Sequence, residues 1–166
     1  MHFDFGEALR AYAKEPDGLL TKSEFQVVEN ALKSGALLED AHFPIARKLL
    51  VNHLSERNGN TDTLVILNGL PRHVGQAQAM EAVVDMQTVV SLKCKPVIAW
   101  ERIRVNAGGD REGRADDTLE EVEQRIETFN KRTAPLLNYY IKMGVPMLRL
   151  DVGVKTSAQE MRSQLQ

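Results

Sequence analysis

The chain has 166 residues, a formal net charge of −2 and one cysteine. Its 43% hydrophobic and 27% charged residues are typical of a single globular domain, and the near-neutral charge argues against a nucleic-acid binder that depends on a broad basic surface. The single cysteine excludes a disulfide framework and a cysteine-based zinc site. No apolar run approaches the ~20 residues of a membrane span, and the N-terminus has no signal-peptide pattern, so we expect a cytoplasmic protein without a membrane partner.

Short β-rich runs alternate with longer helical periods in the first half of the chain, which predicts an α/β domain. Ser23 with Gln26 predicts a capping box that opens the second helix, and Gly35 ends that helix. The apolar run at residues 63–68 predicts a strand buried on both faces. The other elements predicted here are a strand at residues 2–4 and helices at 6–14, 40–57 and 76–84.

The second half continues the alternation. A second buried strand is predicted at residues 88–94, where Cys94 would be an inert buried thiol. Pro96 is expected to begin a helix. Residues 107–113 are rich in glycine and charge, which predicts a mobile loop. The later elements are a helix opened by a Thr118–Glu121 capping box and bent at Pro135, a strand at 146–150, and a last helix capped by Thr156 or Ser157.

One stretch combines an apolar run with a phosphate-binding side chain. After residues 64–68 the chain breaks at Gly69-Leu70-Pro71, places Arg72 directly after the turn and brings Gln76 four residues later. This stretch resembles the segment Asp-Gly-Phe-Pro-Arg-x-x-x-Gln-Ala of the adenylate kinase (nucleoside monophosphate kinase) family. The resemblance extends from about Phe5 to the C-terminus.

The resemblance implies a three-layer α/β fold with a parallel sheet flanked by helices. It implies one nucleoside monophosphate kinase-like domain over residues 1–166, with a monophosphate-binding insert at about 5–38 and a short lid at about 104–116. The family's reaction is ATP + AMP to two ADP with Mg²⁺, so AMP, ATP and Mg²⁺ are the expected ligands. An exposed connector that moves without consequence is the alternative to a lid.

Five arginines stand where the family has phosphate-handling arginines: Arg10, Arg72, Arg102, Arg114 and Arg125. A transferring phosphoryl group is multiply charged and needs positioned, permanently protonated groups, which arginine supplies. By the family's roles, Arg10 and Arg72 would hold the AMP phosphate. Arg114 and Arg125, with Arg72, would serve the transfer, and Arg102 would lie against the ATP base. A single arginine is more often an ordinary surface residue.

The remaining AMP-side residues implied by the resemblance are Gly6, Leu37, Leu38, Gly69 and Gln76. A glutamine amide both donates and accepts hydrogen bonds, which matches the adenine edge and favours AMP over pyrimidine nucleotides. A glutamine that only caps its own helix is the alternative. Leu37 and Leu38 follow Gly35 in a segment that resembles the wall of the family's adenine pocket, although a plain helix end explains Gly35 equally well.

Several features depart from the family. The 166 residues contain no Gly-x-x-Gly-x-Gly-Lys loop for the ATP phosphates. Asn68 replaces an aspartate that organises magnesium, so no confident metal ligand is identified. Phe5 replaces a threonine that contacts the monophosphate, and Asn106 replaces an arginine at the base of the lid. We therefore expect this chain to be an inactive or severely impaired kinase that retains weak AMP binding.

Three explanations of the missing strand and loop are open. The strands at 63–68 and 88–94 could pair directly in a contracted four-stranded sheet. A second chain could supply the pairing, by dimerisation or as a subunit that donates the loop. The sequence could also begin at an internal methionine of a longer protein. For function, the alternative to an impaired phosphotransferase is a degenerate, non-catalytic module that binds a nucleotide or a partner protein.

Overall fold

A computed structural model of the protein describes residues 1–109 and 118–164. All strand pairs in this part of the chain are parallel, and helices flank the strands, which confirms the predicted α/β class. The chain divides into two compact units, Met1–Asp85 and Met86–Gln166. Each unit contains one two-stranded sheet.

The first unit is built from two strands and four helices. In chain order they are β1 (His2–Asp4), α1 (Phe5–Lys14), α2 (Lys22–Ser34), α3 (Phe43–Glu56), β2 (Ile66–Asn68) and α4 (Val74–Met80), with a 3₁₀ turn at Asp40–His42 before α3. Strand β1 pairs with β2 so that His2 faces Ile66 and Asp4 faces Asn68. The Phe3 ring packs against Phe5 and His53 above a core that includes Val28, Leu50 and Met80.

The helix ends of the first unit follow local capping rules. The predicted opening of α2 by Ser23 and Gln26 is wrong, because Thr21 is the N-cap and exchanges hydrogen bonds with Glu24. The two pairs have the same spacing, and only the Thr21 pair has a carboxylate to accept from the cap's own N–H. Gly35 ends α2 with φ of +66°, as predicted.

The second unit contains β3 (Val89–Lys93), α5 (Pro96–Arg104), α6 (Leu119–Thr128), α7 (Pro135–Lys142), β4 (Met147–Asp151) and α8 (Ala158–Ser163). Pro96 begins α5, the Thr118–Glu121 capping box opens α6 and Ser157 caps α8, all as predicted. A π-helical segment, Phe129–Thr133, lies between α6 and α7 and ends just before Pro135, the first residue of α7. Strand β3 pairs with β4, and α5 packs against α6.

One prediction about the strands is corrected. Strands β2 and β3 are not buried on both faces, since Ile66 and Leu92 are 63% and 56% exposed. An apolar run predicts a strand correctly but does not show whether another layer covers it.

Among residues 1–109 and 118–164, no helix combines the length and the apolar character needed to cross a membrane.

Candidate functional site

The carboxyl ends of β1 and β2 lie side by side in the first unit. Asp4 and Asn68 are the last residues of the two strands and are register partners. The Asn68 amide Nδ2 donates a hydrogen bond of 2.6 Å to Asp4 Oδ2. Ligands of open α/β sheets bind outside the carboxyl ends of the strands, so a ligand is expected at this edge.

Asp4 also caps helix α1, which begins directly after β1. Its Oδ1 accepts a 2.7 Å hydrogen bond from the Glu7 backbone N–H. Burial raises the pKa of the Asp4 carboxyl, but hydrogen bonds from Glu7 and Asn68 and the nearby positive charge of Arg10 outweigh it, and the net pKa is lowered. Asp4 is therefore an ionised carboxylate at neutral pH.

Arg10 and Gly6 lie on the same face of α1. A Cβ atom added at Gly6 would lie 3.3 Å from Arg10 Nη1 and 3.4 Å from Asp4 Oδ1, so the guanidinium covers the glycine. Arg10 is exposed and forms no ion pair with any described residue. A cation beside the first turn of a helix favours an anion at this position.

The Gly69 turn packs against the same first turn of α1. Gly69 has φ of +74°, which glycine adopts without strain, and its added Cβ would lie 3.7 Å from Phe5 Cβ and 3.9 Å from the Gly6 nitrogen. The Gly69–Arg72 motif and the Gly6–Arg10 motif, more than 50 residues apart in sequence, therefore meet. Phe5, which replaces the family threonine, is a buried core side chain in this structure.

Arg72 follows this turn and is partly buried. Its Nε has no hydrogen-bond partner in the part of the chain that the structure describes. Burial lowers the pKa of the Arg72 guanidinium, which nevertheless stays protonated at any ordinary pH. A buried donor without a partner is costly, and an anionic ligand would relieve that cost.

Gln76 joins the turn to the segment that follows α2. The side chain is 2% exposed; Oε1 accepts from the Arg72 backbone N–H at 2.8 Å, and Nε2 donates to the Leu38 carbonyl at 2.7 Å. Leu38 is buried and Leu37 is partly buried. The three predicted AMP-side motifs thus converge in the first unit, with Gln76 making main-chain contacts that sequence reasoning did not foresee.

His73 and Asp40 form a second contact that sequence reasoning missed. His73 Nδ1 lies 3.3 Å from Asp40 Oδ1, and the buried His73 Nε2 has no hydrogen-bond partner in residues 1–109 and 118–164. Gly75, on the first turn of α4, faces the same carboxylate so closely that an added Cβ would lie 2.6 Å from Asp40 Cγ.

The second unit contains two more of the predicted arginines. Arg102 Nη1 lies 2.8, 3.0 and 2.9 Å from the carbonyl oxygens of Gly153, Val154 and Thr156. Its guanidinium therefore holds the loop between β4 and α8. Arg125 is on an exposed face of α6, whereas Arg114 and most of the predicted lid lie outside the described residues.

Two other residues of this unit have clear local roles. Asn106 follows α5 with φ of +47°, a left-handed conformation that asparagine tolerates better than arginine, so its presence has a structural reason. Cys94 is only partly buried, which corrects the prediction of a buried thiol. Burial still raises the pKa of Cys94 despite the nearby charge of Arg102, so the thiol stays protonated.

The described residues contain no group of three or more histidine, cysteine, aspartate or glutamate side chains that could hold a metal ion. At the strand ends Asn68 is a neutral amide, and both Asp4 oxygens already accept hydrogen bonds. These donors do not fit a magnesium ion held by the protein itself, because such ions are bound by one or two free carboxylates together with substrate phosphates.

Parallel strands flanked by helices, a Gly-x-Pro-Arg turn after β2 and an arginine on the helix that follows β1 are typical of α/β proteins of the nucleotide phosphotransferase class. The family model described as "Adenylate kinase" matches residues 2–145. The chain belongs to the adenylate kinase family.

Curated relatives agree with this assignment. The chain is 31% identical over 159 residues to the adenylate kinase of Xylella fastidiosa (strain M12), with 90% of this chain and 76% of the relative covered. It is 31% identical over 141 residues to the adenylate kinase of Stenotrophomonas maltophilia (strain K279a), covering 81% and 74%. It is 29% identical over 168 residues to that of Treponema denticola, covering 85% and 75%.

Proposed function

We propose that the protein is a phosphotransferase of the adenylate kinase type that uses AMP as the phosphoryl acceptor and ATP as the donor, and forms two ADP. The observation that carries the proposal is the convergence of the three AMP-side motifs in the first unit through the Asp4–Asn68, Gly69–Gly6 and Gln76–Leu38 contacts. Motifs that are separated in sequence and meet in the fold are far more informative than any of them alone.

In this proposal the AMP phosphate lies between Arg10 and Arg72, against the first turn of α1. Gly6 and Gly69 place no Cβ on this surface, so the Arg10 guanidinium can lie directly over the first turn of α1, where it would contact the phosphate. The unpartnered Nε of Arg72 gains the acceptor it lacks. Leu37 and Leu38 lie beside the adenine base. Gln76 recognises the adenine edge with the one N–H and the one oxygen lone pair that its two main-chain hydrogen bonds do not use.

The transfer step depends on residues outside this cluster. We assign Arg114 and Arg125 to the transferring phosphoryl group and Arg102 to the ATP side, as the family resemblance implies. Magnesium would supply charge neutralisation as a complex with the ATP phosphates. The 166 residues have no glycine loop, and each missing donor at a transition state costs about 3 kcal/mol. These residues by themselves should therefore bind AMP but transfer phosphate very slowly.

A non-catalytic nucleotide-binding module is the second candidate. It is favoured by Asn68 in place of the family aspartate and by the use of the Gln76 amide for main-chain contacts. The two candidates differ in turnover but not in AMP binding.

The two candidate functions can be distinguished by mixing the chain with ATP, AMP and Mg²⁺ and measuring ADP formation by chromatography. The phosphotransferase proposal predicts slow ADP formation that Arg125→Ala abolishes, with Arg149→Ala, another exposed arginine of the second unit, as the control. Tight AMP binding with no ADP above the protein-free rate would support the non-catalytic module instead.

We further propose that a second copy of the chain covers the exposed apolar strands. In the first unit Ile66 of β2 and Leu64, which precedes this strand, are 63% and 70% exposed, and in the second unit Val90 and Leu92 of β3 are also exposed. Clustered apolar strand residues in water mark an interaction surface.

A further inference from the structure

We propose that the Asp4 carboxylate limits the affinity of the site for phosphate-bearing nucleotides, so that residue 4 sets how strongly a nucleoside monophosphate is preferred over its nucleoside. The inference rests on the proposed function, because it takes the surface of Gly6 and Arg10 as the place of the AMP phosphate.

The geometry puts a negative charge where the phosphate is expected. Arg10 Nη1 and Asp4 Oδ1 approach the same point, the position of an added Gly6 Cβ, to 3.3 and 3.4 Å. A phosphate that contacts Arg10 over Gly6 therefore lies within a few ångströms of the carboxylate. Two negative charges at such a distance repel each other, and part of the attraction of Arg10 is cancelled.

Asp4 also accepts a hydrogen bond from a backbone N–H that could otherwise be donated to a phosphate. Its Oδ1 accepts the Glu7 N–H, which is one of the free N–H groups of the first turn of α1. The second oxygen is held by the Asn68 amide at 2.6 Å. Because both oxygens are fixed, the carboxylate cannot turn away when an anion approaches.

The structural roles of Asp4 do not need its charge. Asparagine is as good an N-cap as aspartate, and its side chain can still exchange a hydrogen bond with Asn68 if the Asn68 amide rotates. Asp4→Asn therefore removes the charge and keeps the shape and the cap. Asp4→Ser, a second uncharged cap residue, provides an independent version of the same change.

The test is calorimetric titration of AMP and of adenosine into the full-length wild-type chain, Asp4→Asn and Asp4→Ser at low salt. We expect both variants to bind AMP about 3- to 10-fold more tightly than wild type, as Coulomb repulsion at this distance in a partly solvated site implies. Adenosine affinity should not change. The gain should shrink as salt is added, since screening weakens the repulsion.

Glu15→Gln is the matched control, because it removes one negative charge from the position directly after α1 and far from Gly6 along the helix axis. It should leave AMP affinity unchanged. Equal or weaker AMP binding by Asp4→Asn and Asp4→Ser than by wild type would overturn the inference and leave the proposed function standing. A chain that binds no AMP in any of these forms would overturn both.

Discussion

Arg72 carries a partly buried guanidinium with an unpartnered Nε, and this side chain should dominate phosphate affinity. Arg72→Lys keeps the charge but loses the planar fork and one or two charge-assisted hydrogen bonds. We expect AMP affinity to fall about 10- to 100-fold, the equivalent of one such bond to a charged group. Equilibrium titration with AMP measures the effect. Arg47→Lys, at an exposed position of α3, is the control, and an equal loss in both variants would contradict a phosphate contact by Arg72.

Gln76 should stabilise the fold as well as the site. Gln76→Leu leaves the Leu38 carbonyl and the Arg72 N–H without partners in a buried place. Each unsatisfied buried group costs about 1–3 kcal/mol, so the loss of both hydrogen bonds should lower the free energy of unfolding by about 2–6 kcal/mol. Urea denaturation checks this value. Gln78→Leu, at an exposed position of the same helix, should change it by less than about 0.5 kcal/mol; similar losses in both variants would refute the role of the two hydrogen bonds.

At the scale of elements, the close approach of α4 to the 3₁₀ turn depends on Gly75. Gly75→Ala places a methyl group against the Asp40 carboxylate and must break the His73–Asp40 contact. We expect a net loss of about 1–3 kcal/mol of unfolding free energy, despite the better helix propensity of alanine. The Gly75→Ala/Asp40→Ala double variant removes the overlapping carboxylate, so it should be no less stable than Asp40→Ala alone, which also lacks the His73–Asp40 contact. A double variant that is clearly less stable than Asp40→Ala would show that the overlap is not the cause.

Helices α2 and α3 are joined by an ion pair that should give a pH dependence. Lys48 Nζ lies 2.7 Å from Glu24 Oε2, and the hydrogen bond from Lys48, with those from Thr21, lowers the pKa of Glu24 from 4.5 to about 2. Because the folded-state pKa is depressed, the stabilisation is present above pH 4.5 and is lost as the pH falls toward 2.

Unfolding free energies measured between pH 6 and pH 2 check this account. Glu24→Gln should lower the free energy of unfolding at pH 6 and reduce its fall between pH 4.5 and pH 2. Glu29→Gln on the same helix should have neither effect. An unchanged pH profile for Glu24→Gln would rule out the ion pair as its source.

Local helix capping could be predicted from the sequence, but the burial of the strands could not. The boxes at Thr118 and Ser157 depend on residues three apart, so the sequence contains all of their partners. The start of α2 was misplaced by two residues because Thr21 and Ser23 are both acceptable caps. Strand burial depends on which layer covers the strand, which no local pattern encodes.

At the scale of the whole molecule, the apolar strands of each unit should promote self-association. Leu92→Lys places a charge on exposed β3 and should shift the chain toward monomer in sedimentation velocity. Val51→Lys, at an exposed apolar position on α3, is the control and should not. A wild-type chain that sediments as a monomer at every concentration would contradict the proposed pairing.

Much of the AMP-side cluster could be predicted because its motifs resemble those of a known family and parallel strands bring their carboxyl ends to one edge. The contacts of Gln76 could not, since its partner Leu38 is 38 positions away and lies beside it only in the folded chain. The same applies to Asp4 and Asn68, which are 64 positions apart. The sequence identifies Asn68 as a departure, and only the structure shows the carboxylate beside it.

The central claim is that the first unit carries an AMP site. Calorimetric titration of the wild-type chain with AMP, CMP and ATP, alongside Arg72→Lys, tests it most directly. The account predicts one AMP per chain, weaker binding of CMP and ATP, and a clear loss of AMP affinity in the arginine variant. AMP that does not bind, or that binds no better than CMP and is indifferent to Arg72, would contradict it.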